Sequence, residues 1–147
     1  MEDSYHITHI CHTDASQKAV FKALSTIKGL SHWWTAQTHG NPGMDGTIVF
    51  QFGNSFKDEV HVTDFELDKR IEWTVLDSVP DWIGTIISFD LDQHEGKTRI
   101  RLTHKGFKQQ DDYFAQCNFS WAKYLISLRN LVENGQGDPY DDHKPFD

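Results

Sequence analysis

Phe114, Cys117, Trp121, Leu125, Leu128 and Val132 recur at steps of three and four residues, the spacing that sets side chains on one face of an α-helix. The run predicts a helix from about Asp112 to Asn134, roughly 33 Å long at 1.5 Å per residue. Asp111 or Asp112 can cap its start, and Asn134-Gly135 can end it. A helix this long with a single apolar stripe must lay that stripe on another apolar surface.

The rest of the chain offers such a surface. Ile48, Phe50 and Phe52, then Val60 and Val62, then Ile71, Trp73 and Val75 alternate with polar neighbours, the pattern of strands with one face buried and one in water. Ile87, Phe89 and Leu91 alternate in the same way. After a turn at residues 93–96, Thr98, Ile100, Leu102 and His104 keep the same parity, so the two arms of a hairpin turn their apolar sets to one face. On the other face, Asp90 and Asp92 stand opposite Arg99 and Arg101 as cross-strand pairs. Residues 5–12 predict a first strand. Asp14 with Gln17 reads as a capping box for a helix carrying Val20, Ala23, Leu24 and Ile27. Gly29 reads as the end of that helix, and residues 30–35 as a second short one. The expected class is α+β, with a long helix lying across an antiparallel sheet of about six strands.

The chain has 147 residues, which favours one domain and lets it bury roughly two-thirds of its unfolded surface. Residues 1–135 are read as that domain and residues 136–147, polar with two prolines, as a loose tail. Aromatic residues make up 13% of the chain, with 5 Trp and 10 Phe; such rings fill a core or line a pocket. The net charge of −8 and the lack of a basic cluster argue against nucleic acid and an anionic membrane surface as partners. No apolar run approaches the roughly 20 residues of a membrane span. The polar N-terminus lacks the features of a signal peptide, so a cytoplasmic location is expected. Cys11 and Cys117 lack CxxC spacing and read as free thiols.

Nine histidines raise the question of a metal. His6 and His12 share a strand face, while His9 points the other way, so three ligands do not converge; neither a metal nor a cofactor is expected. His104, inward by parity, is the one candidate acid or base. Asp58, Glu66, Asp77 and Asp81 read as solvated. No nucleophile elbow, phosphate loop or dinucleotide fingerprint is present, which favours a binding protein over an enzyme.

The order of elements resembles the helix-grip fold of the START and Bet v 1-like (SRPBCC) superfamily. The motifs resemble its branch related to the activator of the heat-shock protein ninety ATPase. They are Ala15-Ser16 with Val20-Phe21 and Ala23-Leu24; the pair Trp33-Trp34; Arg70-Ile71-Glu72-Trp73-Thr74; Gly96-Lys97-Thr98-Arg99-Ile100-Arg101-Leu102-Thr103-His104 with Gly106-Phe107; and Trp121 with the residues from Leu125 to Leu131. The similarity spans about residues 5–134. It implies a cavity between a curved sheet and the long helix, holding an apolar, aromatic or lipid-like small molecule. Members of the superfamily also include cyclases and dehydratases, for which His104 and Asn118 would serve here, and a co-chaperone domain, which makes a chaperone a possible partner. The expected ligand-binding residues are Trp33, Trp34, Phe50, Trp73, Phe89, His104, Trp121 and Leu125, in a monomer or homodimer.

Overall fold

The computed structural model describes residues 4–141. Its elements run β1 (Tyr5–Thr13), α1 (Gln17–Ser25), α2 (Ile27–Trp33), β2 (Gln37–Gly40), β3 (Thr47–Phe52), β4 (Phe56–Glu66), β5 (Arg70–Asp77), β6 (Ile86–His94), β7 (Lys97–Phe107) and α3 (Asp112–Asn134). The strands form one antiparallel sheet in the order β1-β7-β6-β5-β4-β3-β2. Seven strands replace the expected six because the short β2 extends the edge beyond β3. Its four residues carry no apolar alternation that would have announced a strand.

The α3 helix runs over the predicted residues and buries Phe114, Cys117, Trp121, Leu125 and Leu128. The Asp111 side chain accepts from the Phe114 amide at 3.0 Å, and Gly135 closes the last turn at φ 81°, where a side chain would be strained. Opposite it, the inward residues of β3 to β7, from Ile48 to Leu102, are fully or nearly fully buried. This is the helix-grip architecture: one curved sheet closed on its apolar face by a long helix and two short ones.

Three local expectations are corrected. The cap of α1 is Ser16, whose hydroxyl accepts from the Ala19 amide at 3.1 Å; Asp14 instead pairs with Lys97 at 3.4 Å. Gly29 does not end a helix but lies within α2, where an added Cβ would come within 2.6 Å of the Ala23 backbone. It is there for the close crossing of α1 and α2. The chain after α3 is not loose up to residue 141. Asp138 donates its amide to Ser127 Oγ at 2.6 Å. Tyr140 exchanges backbone hydrogen bonds with Trp34 and Ala36, and its ring lies 5.4 Å from that of Phe52. The last six residues of the expected tail lie outside the described residues.

On the outer face, Asp92 pairs with Arg99 as expected, at 2.7 Å. Asp90 is taken instead by Arg70, whose guanidinium also reaches Asp64 and Glu72.

Candidate functional site

A cleft of about 520 Å³ opens between the first half of α3, the β3–β4 hairpin, the end of α2 and the loop joining β5 to β6. Phe52, Phe56 and Asp58 come from the hairpin, Trp34 from just beyond α2, and Trp82 from the loop. From α3 come Tyr113, Ala115, Gln116, Cys117, Phe119, Ser120, Trp121 and Tyr124. Tyr113, Gln116, Ser120 and Tyr124 are spaced by three, four and four. They form a second stripe beside the buried one, turned by part of a helical step towards the cleft.

The walls hold each other through their rings. Trp34 and Trp121 lie 5.1 Å apart between ring centres, and Trp82 stacks on Trp121 at 6.3 Å with 12° between planes. Behind them Trp34 stacks on Trp73 at 5.9 Å. The lining is therefore backed by a second layer of aromatic rings, which fixes its shape.

One carboxyl interrupts this apolar surface. Asp58 is 1% exposed and shares the inner parity of Val60 and Val62 on β4. Its Oδ1 accepts a short hydrogen bond from the Ser78 hydroxyl, while its Oδ2 has no hydrogen-bond partner among the described residues. Burial raises its pKa to about 7, against a smaller opposing effect of the Ser78 bond. The expectation of a solvated Asp58 is thus corrected. Its parity with Val60 and Val62 sets it inward, and Ser78 from the loop after β5 meets it there. Glu66, Asp77 and Asp81 are exposed.

The other polar atoms of the cleft are weakly reactive. Trp82 Nε1–H donates to Cys117 Sγ at 3.4 Å. Burial pushes the Cys117 thiol up despite that bond and pushes the Tyr113 phenol well above its usual range. Both stay protonated at neutral pH, so neither is an activated nucleophile.

His104 is fully buried and lies behind the lining, with both ring nitrogens occupied. Trp121 Nε1–H donates to Nδ1 at 3.0 Å. Nε2 lies 2.8 Å from Thr85 Oγ1, whose own hydrogen goes to the Trp82 carbonyl at 2.6 Å. This chain of donors requires the neutral tautomer with hydrogen on Nε2. Burial lowers the pKa to about 3. Asn118, its proposed partner in catalysis, is exposed and bonds His9 Nε2 at 2.8 Å, so the two groups named for cyclase or dehydratase chemistry do not converge.

Of the eight residues expected to bind ligand, Trp34 and Trp121 line the cleft. Trp33, Phe50, Trp73, Phe89 and Leu125 are buried in the core behind it, and Trp33 donates its indole N–H to the Ala23 carbonyl at 2.9 Å. Trp82, Phe56, Tyr113 and Tyr124 escaped the sequence reading. A tryptophan in the polar loop at residues 80–84 and the second stripe of α3 were the available signals. Among the described residues no group of three or more His, Cys, Asp or Glu side chains is placed to hold a metal ion, and no helix is long and apolar enough to cross a membrane.

Comparison with known proteins places this architecture. In a structure search, the solution structure of the Aha1 dimer from Colwellia psychrerythraea matches with 35% identity and a TM-score of 0.83, over 90% of this chain and 99% of that one. Protein SSP2350 from Staphylococcus saprophyticus shares the fold at 18% identity and TM-score 0.75, over 91% and 96% of the two chains. Protein MLL2253 from Mesorhizobium loti does so at 14% and 0.77, over 88% and 97%. No curated protein matches the chain. Residues 14–133 match the family described as Activator of Hsp90 ATPase homolog 1-like protein. That match covers most of the chain, which therefore belongs to this family, within the START and Bet v 1-like superfamily.

Proposed function

We propose that this protein binds a small apolar or aromatic molecule in the cleft between α3 and the β3–β4 hairpin. The observation that carries the reading is the cleft itself. Its volume of about 520 Å³ falls within the roughly 300–1,000 Å³ of small-molecule sites, and a mostly aromatic lining with one enclosed polar group is their usual composition. The high pKa values of Cys117 and Tyr113 favour holding over catalysis. The unpaired cysteines Cys11 and Cys117 suit a reducing compartment and support a cytoplasmic location.

Binding is tested by titrating the protein with a panel of aromatic compounds and fatty acids while following indole fluorescence, because three of the five tryptophans line the cleft. Quenching and a raised melting temperature are expected. Both should vanish in Ser120→Trp, which fills the space from α3 while leaving the core untouched. A panel that leaves fluorescence and melting temperature unchanged in the parent protein refutes the reading.

A second reading concerns partners. The 35% identical relative is described as a dimer, which supports a homodimer here, and the family description supports a chaperone as a further partner. On α3, Phe119 and Ile126 are 65% and 50% exposed and lie seven residues apart, on one side of the helix. Sedimentation at micromolar concentration should give a dimer that Ile126→Ser weakens. A monomer at every concentration counts against self-association, and an unchanged ATPase rate of a purified chaperone counts against the chaperone.

A further inference from the structure

Asp58 has no evident use in the fold. It occupies an inner position of β4 in line with Val60 and Val62, both fully buried, where an aliphatic side chain would pack without penalty. A buried carboxylate without a cation costs several kcal/mol, and among the described residues the one hydrogen bond its side chain receives comes from Ser78, on Oδ1. Oδ2 is buried without a partner although the residue lines the cleft. No basic side chain contributes to its ionisation, which burial and the Ser78 hydroxyl account for.

Its surroundings are also negative. The rings of Trp34, Trp82 and Trp121 line the same cleft, and aromatic rings attract a cation through their π electrons. The charges of Asp58 and Asp81 both bear on Tyr113 and Cys117 in the cleft wall, with no cation among the influences on either. An entering anion would be repelled by Asp58 and Asp81, whereas a cation would meet a carboxylate and rings.

Building on the small-molecule reading above, we infer that the ligand is a hydrophobic amine: an apolar body of aromatic size among Trp34, Trp82 and Trp121, with one protonated nitrogen seated on Asp58. The χ2 torsion of an aspartate is soft, so Oδ2 can turn towards the entering group. A charge-assisted hydrogen bond then takes the place of the missing partner. The raised pKa of Asp58 gives this binding a pH signature. The ammonium needs the ionised carboxylate, so below the pKa of about 7 affinity falls by roughly tenfold per pH unit, and above it the affinity levels off.

The test uses three probes that share one ring system: 1-naphthylmethylamine, 1-naphthylmethanol and 1-naphthylacetate. Calorimetry on the full chain is run near pH 8 and near pH 5. The amine should bind about tenfold or more tightly than the alcohol at the higher pH, and lose about 100-fold at the lower pH while the alcohol holds constant. Asp58→Asn should erase the preference for the amine over the alcohol. Equal binding of amine and alcohol, an amine affinity independent of pH, or tightest binding of the carboxylate overturns the amine assignment while leaving small-molecule binding in place. Failure of all three probes to bind counts against both. The pH profile of the parent protein decides the matter even where the Asn variant fails to fold.

Discussion

Trp121 gives its indole hydrogen to His104 Nδ1 across 3.0 Å, and this single bond joins the wall of the cleft to the core of the sheet. It holds the imidazole in one tautomer and holds the Trp121 ring at the angle at which it faces Trp34 and Trp82. Replacing His104 with Ala leaves a buried indole donor unpaired, at about 1–3 kcal/mol, and adds a cavity beside Phe107 and Trp82. The expected loss is about 3–5 kcal/mol in urea unfolding. Nitrogen chemical shifts of His104 should report a neutral ring, hydrogen on Nε2, down to about pH 4.

Asp58 should make the native state less stable as pH rises. Its folded pKa lies above its unfolded one, so the folded protein holds the proton more tightly. Stability is therefore full below about pH 4 and falls until about pH 7. Asp58→Asn removes this loss. It should raise the melting temperature by up to about 8–16 °C near pH 8, for up to roughly 4 kcal/mol at this chain length, and change it little near pH 4.

His104 acts in the opposite sense. Its folded pKa is depressed to about 3, so its contribution is present above about pH 6.5 and is lost as pH falls below that. Between about pH 4 and 6.5 the two slopes, each about 1.4 kcal/mol per pH unit, nearly cancel. In Asp58→Asn the histidine is left alone. Its stability should rise with pH across this window, which chemical denaturation at four or five pH values will detect.

Arg70 gathers Asp64, Glu72 and Asp90 on the water-facing side of the sheet, with bonds of 3.0, 2.8 and 2.7 Å. A lysine cannot reproduce this planar fork. Arg70→Lys should cost about 1–2 kcal/mol at low salt and less at high salt, since the group is only partly shielded from water. Probe binding in the cleft, on the other face, should be unchanged.

Gly29→Ala should disturb both stability and the cleft. Its Cβ would press on the Ala23 backbone, which has no flexible end to move aside, so α2 must shift. About 2–3 kcal/mol of destabilisation is expected, with weaker ligand quenching because Trp34 follows directly on α2.

Most of the architecture was legible because it rests on periodicity. The α3 stripe and the parities of β3 to β7 place the buried face without any knowledge of the partner elements. The strand β2 was not legible, since Gln37, Thr38, His39 and Gly40 carry no alternating apolar set. Parity marks Phe50, Trp73 and Phe89 as inward but cannot divide inward residues between packed core and open cleft; that division depends on how far α3 stands from each strand. Asp58 was read by its charge, although it shares the inward parity of Val60 and Val62. Gly29 was read by its backbone freedom, whereas its role depends on a neighbouring helix.

The pairing of β1 with β7 has a consequence for how the chain comes to be folded. Tyr5 lies opposite Phe107 and Thr13 opposite Thr98, so during synthesis β1 emerges about 90 residues ahead of the strand it pairs with. At synthesis rates of roughly 5–20 residues per second, β1 waits about 5–20 s. Closing so long a loop is also entropically slow. During that interval Ile7, buried in the folded protein, has no sheet to pack on, so the newborn chain passes through a period of exposure of this residue that the finished protein no longer shows.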